Sequence, residues 1–442
     1  MASAVEQLAK NANWGALSKA TELKQRILFV LGALLVYRLG TYIPIPGIDI
    51  VEWNRFFTQK GGGILDMFNM FSGGALSRMT IFSLNIMPYI SASIIMQLAT
   101  AMSKQLEELK KEGEVGRMKI NQYTRYLTVL LATVQAYGLA VGLESGSAVI
   151  EPGMFFRIST VITIVGGTVF LMWLGEQITS RGVGNGISLI IFAGIVAELP
   201  RAIGSTLELT RQGTFSGSAL LLLVGMIIAV IALIVYVERA QRRVVVQYPK
   251  RQVGNKMTQA QTNHIPLKLN TAGVIPPIFA SSLLLLPLTV VGFVGVEESD
   301  FWSDMARYLQ HGQPVYMVLY GLLIAFFCFF YTAIVFNPED NAETLRKYGG
   351  FVPGIRPGKN TADYFDFVLT RLTVVGALYL VFICLLPEFL IAKYNMPFYF
   401  GGTSLLIVVS VTMDTVAQIH SHLVAHQYEG LVKKTKLRGR RR

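Results

Sequence analysis

The stretch VYMVLYGLLIAFFCFFYTAIVF (residues 315–336) decides the fold class, because none of its 22 residues is charged. A helix needs about 20 mainly apolar residues to cross the hydrocarbon core of a bilayer. The whole chain of 442 residues agrees with this run, since it is 52% apolar and only 15% charged. A soluble domain carries roughly 25% charged residues. The sequence therefore predicts an all-α polytopic membrane protein.

Nine further runs have the length and the apolar character of membrane spans. Arg38 lies in the first run, Arg371 at the edge of the ninth, and Glu198 interrupts the fifth. In chain order the ten predicted spans are 23–43, 81–102, 126–143, 155–178, 187–203, 219–237, 271–291, 315–336, 368–390 and 398–419.

The basic residues predict the orientation of these spans. Ten spans put both termini on one side, and that side carries 30 of the 39 Lys and Arg residues. Cytoplasmic loops hold the positive excess, so both termini are predicted to be cytoplasmic. The net charge of +12 is thus a cytoplasmic layer, which leaves ribosomal RNA as the nucleic acid to consider. Residues 1–22 lack signal-peptide features, so no cleaved targeting peptide is expected.

The sequence offers little for catalysis. Cys328 and Cys384 lie inside apolar spans and are interpreted as packing residues. His422 and His426 are one helical turn apart, without a third ligand on the same face. No nucleophile elbow, phosphate-binding loop or H-E-x-x-H motif is present. We therefore expect no enzyme activity, no metal and no cofactor.

An unusual external segment follows the first span. Three glycines at 61–63 suggest a hinge, and the apolar residues 64–71 follow them. As a helix this segment is about 12 Å long, too short to span a bilayer. It either lies flat at the interface or dips back into a protein-lined cavity, and the residues alone leave both open.

Three local patterns predict further structure. In IFSLNIMPYISASII (residues 81–95), Pro88 is expected to bend the second span. In WLGEQITSRGVGNGIS (residues 173–188), a glycine turn precedes a helix that Asn185 or Ser188 can cap. The cytoplasmic stretch RRVVVQY (residues 242–248) predicts a short strand that Pro249 ends.

The first two stretches resemble the signature segments of the SecY family, and the order of further motifs along the chain is similar. Asn85 departs from the family pattern, which often has glycine there, and Asn255-Lys256 replaces an arginine pair of some relatives. The further matches are PIPG (44–47), FNMFSGGALS (68–77), QYTRY (122–126), VERAQRR (237–243), FVPGIRPG (351–358) and FYFGGTS (398–404).

The resemblance implies ten transmembrane helices in two pseudo-symmetric inverted halves of five, with a short re-entrant plug helix at about 64–77. The implied division is 1–22 as a cytoplasmic segment, 23–205 and 206–419 as the halves, and 420–442 as a basic tail. Two large cytoplasmic loops, at about 238–269 and 337–367, belong to the second half. An inverted five-plus-five arrangement is also common in transporters.

The resemblance also assigns the residues of a channel. An apolar ring at the waist excludes water and ions yet offers a passing peptide no hydrogen bond. The implied pore ring is Ile86, Ile90, Ile187, Ile191, Ile278 and Ile407. The implied plug residues are Ile64, Leu65, Met67, Phe68, Met70, Phe71, Ser72, Gly73 and Gly74. The implied contacts for a motor or a ribosome are Arg356, Lys250, Arg251, Lys256, Arg242 and Arg243.

A SecY-like protein passes unfolded secretory proteins across the bacterial inner membrane. It also releases transmembrane segments into lipid through a lateral gate between spans two and three and spans seven and eight. The implied partners are SecE and SecG, the SecA motor ATPase, the ribosome, preproteins with signal sequences, SecDF and a YidC-type insertase. A secondary transporter of small solutes is the alternative, and it predicts ion-binding acids near the midplane. A membrane enzyme acting on lipids is a third.

Overall fold

The computed structural model describes residues 21–60, 69, 72–144, 148–212, 217–249, 252–253, 256–257, 261–293, 313–394 and 402–439. Most of this part of the chain is helical, as predicted. Seven of its helices are long and apolar enough to cross a membrane, so the protein is a multi-pass membrane protein. Ten helices overlap the ten predicted spans. In chain order they are Thr21–Gly40, Met87–Met102, Glu114–Glu144, Met154–Arg181, Gly186–Arg211, Gly217–Arg239, Ile275–Phe293, Pro314–Val335, Lys359–Tyr394 and Gly402–Gly439.

Within the described ranges, three shorter helices lie between the spans. Ile50–Lys60 follows the first span, Lys104–Lys111 follows the second, and Pro338–Lys347 follows the eighth. Asn337 caps the last of these, because its side chain accepts a hydrogen bond from the backbone N–H of Glu339 at 3.0 Å.

The second span differs from the prediction at its start. Its helix begins at Met87, and residues 72–86 form turns closed by a bridge at Thr80. Met79 and Asn85 have left-handed backbones, with φ of 47° and 48°, which a continuous right-handed helix excludes. Pro88 falls in the first turn, where its missing N–H has no intrahelical partner to lose. The prediction of a bend at Pro88 is therefore wrong, and this proline lies at the start of the helix, directly after Met87.

One hydrophobic core joins most of the spans. Fully buried members come from the residue before the second helix, Ile86, and from the fifth, sixth, eighth and tenth helices, namely Ile190, Ile234, Ile324 and Leu406. Both predicted halves contribute to this core. The fifth helix also runs past the predicted division between residues 205 and 206 and ends at Arg211.

The outer surface is apolar along the spans. On the sixth helix Leu221 is 76% exposed and Leu222 is 73% exposed. In water such a surface would be costly, whereas lipid tails are as apolar as these side chains.

The two large loops that are predicted to be cytoplasmic form one folded unit. We call it the platform and define it as the described residues of 241–268 and 338–369. Strand β1, Gln241–Tyr248, pairs antiparallel with β4, Gln261–Lys268. β1 stops directly before Pro249, as the sequence predicts. The short pair β2, Gln252–Val253, and β3, Lys256–Met257, lies between them along the chain.

The second of these loops is attached to this hairpin. Gln247 and Phe351 exchange two backbone hydrogen bonds, of 2.9 and 3.0 Å. Beneath the strands, Val246, Val352 and Phe365 belong to one buried cluster. The platform therefore has a small hydrophobic core of its own, separate from the core of the spans.

Candidate functional site

The predicted pore ring lies where the second, fifth and seventh helices meet. Ile86, Ile90, Ile191 and Ile278 line one small cavity, together with Asn85, Met87 and Ser281. Its volume is about 10 Å³, at the lower limit for holding one water molecule. The lining is mainly apolar, and its side chains come from separate spans. The structure thus brings four of the six predicted residues together around this small cavity.

The other two predicted ring residues lie in the same core but outside this cavity lining. Ile407 of the tenth helix is 1% exposed, and Ile187 of the fifth packs against the cluster from its edge. Ile187 and Ile191 are one turn apart and so share a face of the helix. The Asn185 side chain sets the start of this helix by accepting a hydrogen bond from the Ile187 N–H at 3.1 Å. The predicted Asn185 cap is confirmed.

Asn85 stands beside the ring, and its backbone explains the departure from the family pattern. Its φ of 48° lies in the left-handed region, which glycine adopts freely and asparagine more readily than most residues. Only 2% of Asn85 is exposed, and its side chain hydrogen-bonds with the Tyr37 side chain of the first helix. Asparagine therefore satisfies the same backbone requirement as glycine and adds a contact.

The predicted plug is only partly within the described residues. Its members Ile64, Leu65, Met67, Phe68, Met70 and Phe71 lie outside them. Asn69 and residues 72–77 are described. Residues 72–74 contact the first and fifth helices. The Tyr37 hydroxyl donates to the Ser72 carbonyl oxygen at 3.3 Å, and Arg38 Nη1 donates to the Gly73 carbonyl oxygen at 2.7 Å.

Glycine is needed at the end of the plug segment for both conformation and space. Gly73 and Gly74 have φ of 65° and 81°. A Cβ on Gly73 would lie 2.9 Å from the Gly194 Cα of the fifth helix. The backbone of the plug segment therefore ends in direct contact with that helix.

At the seam where the resemblance places the lateral gate, the seventh helix packs against the second and the third. The eighth helix packs against the seventh.

Four of the six predicted docking residues lie among the described residues of the platform. Arg242 and Arg243 are exposed on β1, and Lys256 belongs to β3. Lys250 and Arg251 lie outside the described residues. Arg356 is exposed in the turn after Val352, and the Thr361 hydroxyl donates to its carbonyl oxygen at 2.9 Å. Among the described residues, no carboxylate lies within ion-pair distance of the Arg356 guanidinium.

Sequence analysis missed the contacts of the charges near and inside the spans. Arg125 donates from Nε and Nη2 to the two carboxylate oxygens of Glu176, both at 2.8 Å, and so joins the third and fourth helices. Glu198 faces Arg78 at 3.9 Å, beside the plug segment. Hydropathy carries no signal for either pair, because the partners lie on different elements.

Comparisons with known proteins agree on one family. A family model described as SecY matches residues 80–416. Protein translocase subunit SecY of Vibrio cholerae is 57% identical over 429 residues, which cover 96% of each chain. The protein of the same description from Escherichia coli K12 is 56% identical, over 95% of this chain and 96% of the relative. That of Pseudomonas aeruginosa is 56% identical over 98% of each.

Solved structures share the fold at low sequence identity. One described as the structure of a protein conducting channel has a TM-score of 0.64 at 20% identity and covers 90% of this chain and 92% of that one. A SecY structure described for its plug domain has a TM-score of 0.65 at 19% identity, with the same coverage. Sec61 in the canine ribosome–channel complex has a TM-score of 0.62 at 18% identity, again with 90% and 92% covered.

Proposed function

The chain belongs to the SecY family, and from that premise we propose that unfolded secretory proteins cross the inner membrane through its isoleucine-lined constriction. It is a pore-forming subunit of a protein-conducting channel, and the transporter alternative has no support among its relatives. The observation that carries the proposal is the cavity of about 10 Å³ lined by Ile86, Ile90, Ile191 and Ile278.

The physical argument begins with what so narrow and apolar a waist admits. A hydrated ion entering it would have to lose water without receiving a replacement ligand. Aliphatic side chains give a translocating peptide no hydrogen-bonding group to hold it, and they can repack around a moving chain. All six predicted ring residues, including Ile187 and Ile407, act in this proposal as one seal.

Residues 64–77 are proposed to be the plug that closes this seal from outside. The contacts of residues 72–74 with the first and fifth helices support this, because they bring the segment to the channel wall. The two halves, 23–205 and 206–419, are proposed to move apart along the seam of the lateral gate. An apolar segment released there gains roughly 0.3–0.6 kcal/mol per Leu, Ile, Phe or Val residue on entering lipid.

The platform is proposed to face the cytoplasm. The energy for transport is proposed to come from partners that dock on it. The exposed Arg242 and Arg243 of the first loop and the exposed Arg356 of the second support this. Lys250, Arg251 and Lys256 are further basic residues in the sequence of the first loop. Solved relatives include Sec61 and Ssh1 channels bound to ribosomes. We propose the ribosome and a SecA motor as docking partners and SecE and SecG as small subunits, with SecDF and a YidC-type insertase as accessory partners. Both termini are then cytoplasmic, and the chain itself is not an enzyme.

Reconstitution tests this function. Vesicles containing the chain with its small partners, supplied with SecA and ATP, should protect a secretory preprotein from added protease. Vesicles without the chain are the control. Uptake of small solutes without any protected preprotein would overturn the proposal and favour a transporter.

A further inference from the structure

Three charged side chains gather where the plug segment ends. Arg38 belongs to the first helix, Arg78 to the turns before the second helix, and Glu198 to the fifth helix. The channel function described above assigns no task to them. Arg38 and Glu198 lie within predicted membrane spans, where an ionised side chain is costly unless it has partners. Arg38 Nη1 donates to the Gly73 carbonyl oxygen at 2.7 Å, and Arg78 Nη2 lies 3.9 Å from Glu198 Oε1.

An aromatic ring joins the two arginines. The Cζ atoms of Arg38 and Arg78 lie 5.0 and 4.3 Å from the centroid of the Tyr42 ring, within the range of cation–π attraction. Arg38 Nη2 also donates to the Tyr42 hydroxyl at 3.0 Å. Glu198, with a side chain only 16% exposed, supplies the negative charge beside these two cations. Without it, two like charges would share one ring.

Glu198 also lies directly against the backbone of the plug segment. A Cβ built on Gly74 would overlap the Glu198 Oε1 atom. The carboxylate therefore fits into space that only glycine leaves open at position 74. Contact with the backbone and contact with Arg78 thus come from the same carboxylate.

We propose that Arg38, Arg78 and Glu198 form an external anchor, with Glu198 as its positioning residue, that holds residues 72–74 against the first and fifth helices. The anchor keeps this end of the proposed plug in place when the channel is closed. This inference rests on the proposed role of residues 64–77 as the plug.

The test measures resting ion conductance in planar bilayers that contain the full chain with its small partners. Glu198→Gln removes the charge and keeps the shape, and we expect conductance to rise about fivefold, as for the loss of one partly buried pair. Glu208→Gln is the matched control, because Glu208 lies exposed on the same helix and makes no ion pair among the described residues. We expect its conductance to equal that of the parent.

A deletion variant distinguishes an anchor for the plug from a charge that only stabilises the fold. In a variant that lacks residues 64–71, Glu198→Gln should add no conductance, since nothing remains to be held. Arg78→Gln should match Glu198→Gln, and the double variant should be no leakier than either single one. If Glu198→Gln inserts poorly, Arg78→Gln breaks the same pair and carries the same expectation.

Two results would overturn the anchor: equal conductance in Glu198→Gln and Glu208→Gln, or an equal rise with and without residues 64–71. Failure of the proposed channel function is a separate result, because the parent would then protect no preprotein in vesicles.

Discussion

Replacing Ile86, Ile191 and Ile407 together by asparagine should open the constriction to water and ions. Their exposed fractions are 1%, 6% and 1%, so each new amide would lie in a dry, closely packed place. Burying an amide without a hydrogen-bond partner costs about 1–3 kcal/mol in proteins. Either this free-energy cost destabilises the closed state or water enters the ring to solvate the amides. Both effects favour the open channel.

The expected magnitude follows from these figures. Three amides destabilise the dry state by about 3–9 kcal/mol if none finds a partner, and pairing between them reduces this. Because 1.4 kcal/mol is about a factor of ten, even one unsatisfied amide shifts the ratio of open to closed channels roughly tenfold. The assay is single-channel conductance, together with export of a preprotein that carries a defective signal sequence.

Two controls accompany the asparagine variant. Changing the same three residues to valine removes one methylene from each at about 0.5–1.5 kcal/mol apiece, yet leaves the ring apolar, so conductance should stay low. Ile164→Asn buries an amide in a different cluster, which also contains Trp53 and Met79, and should lower the yield of folded protein without raising conductance. A triple asparagine variant as tight to ions as the parent would show that these residues are ordinary core.

Three further predictions concern the proposed plug, the platform and the ion pair between the third and fourth helices. Deleting residues 64–74 should leave a membrane-inserted chain that conducts ions, and conductance like that of the parent in a planar bilayer would contradict the plug assignment. Arg356→Lys should insert normally but slow SecA-dependent export, and Arg356→Glu should be far worse, because a lost charge-assisted contact costs on the order of 2–5 kcal/mol. Lys359→Glu is the matched control, and full export by Arg356→Glu would refute the contact. Arg125→Gln should lower thermal stability in detergent by about 1 kcal/mol, no more, since Arg125 and Glu176 are 46% and 35% exposed. A second change to Glu176→Gln should then cost little more, and simple additivity would show that the pair contributes nothing.

Much of the fold was predictable because the responsible signals are local. A membrane span needs only enough consecutive apolar residues, and each of the ten predicted runs overlaps a helix. The strand that ends before Pro249 and the helix capped by Asn185 follow from residues within a few positions. The family motifs are likewise short stretches, so the function class could be inferred without coordinates.

The start of the second span shows where local pattern is insufficient. Residues 81–86 are as apolar as the helix that follows, yet they form turns with Asn85 in a left-handed conformation. Hydropathy responds to the solvent around a residue and not to its backbone angles. A buried turn inside protein therefore has the same apolar pattern as a helix.

The sequence by itself determined that this is a multi-pass membrane protein and where its helical spans lie, since both depend on neighbouring residues. Only the tertiary structure decided which spans meet at the constriction, that Gln247 pairs with Phe351, and that Glu198 meets Arg78. Such contacts depend on how each helix is rotated and packed against the others. That rotation results from the combined burial of many side chains, and no single stretch of the chain encodes it.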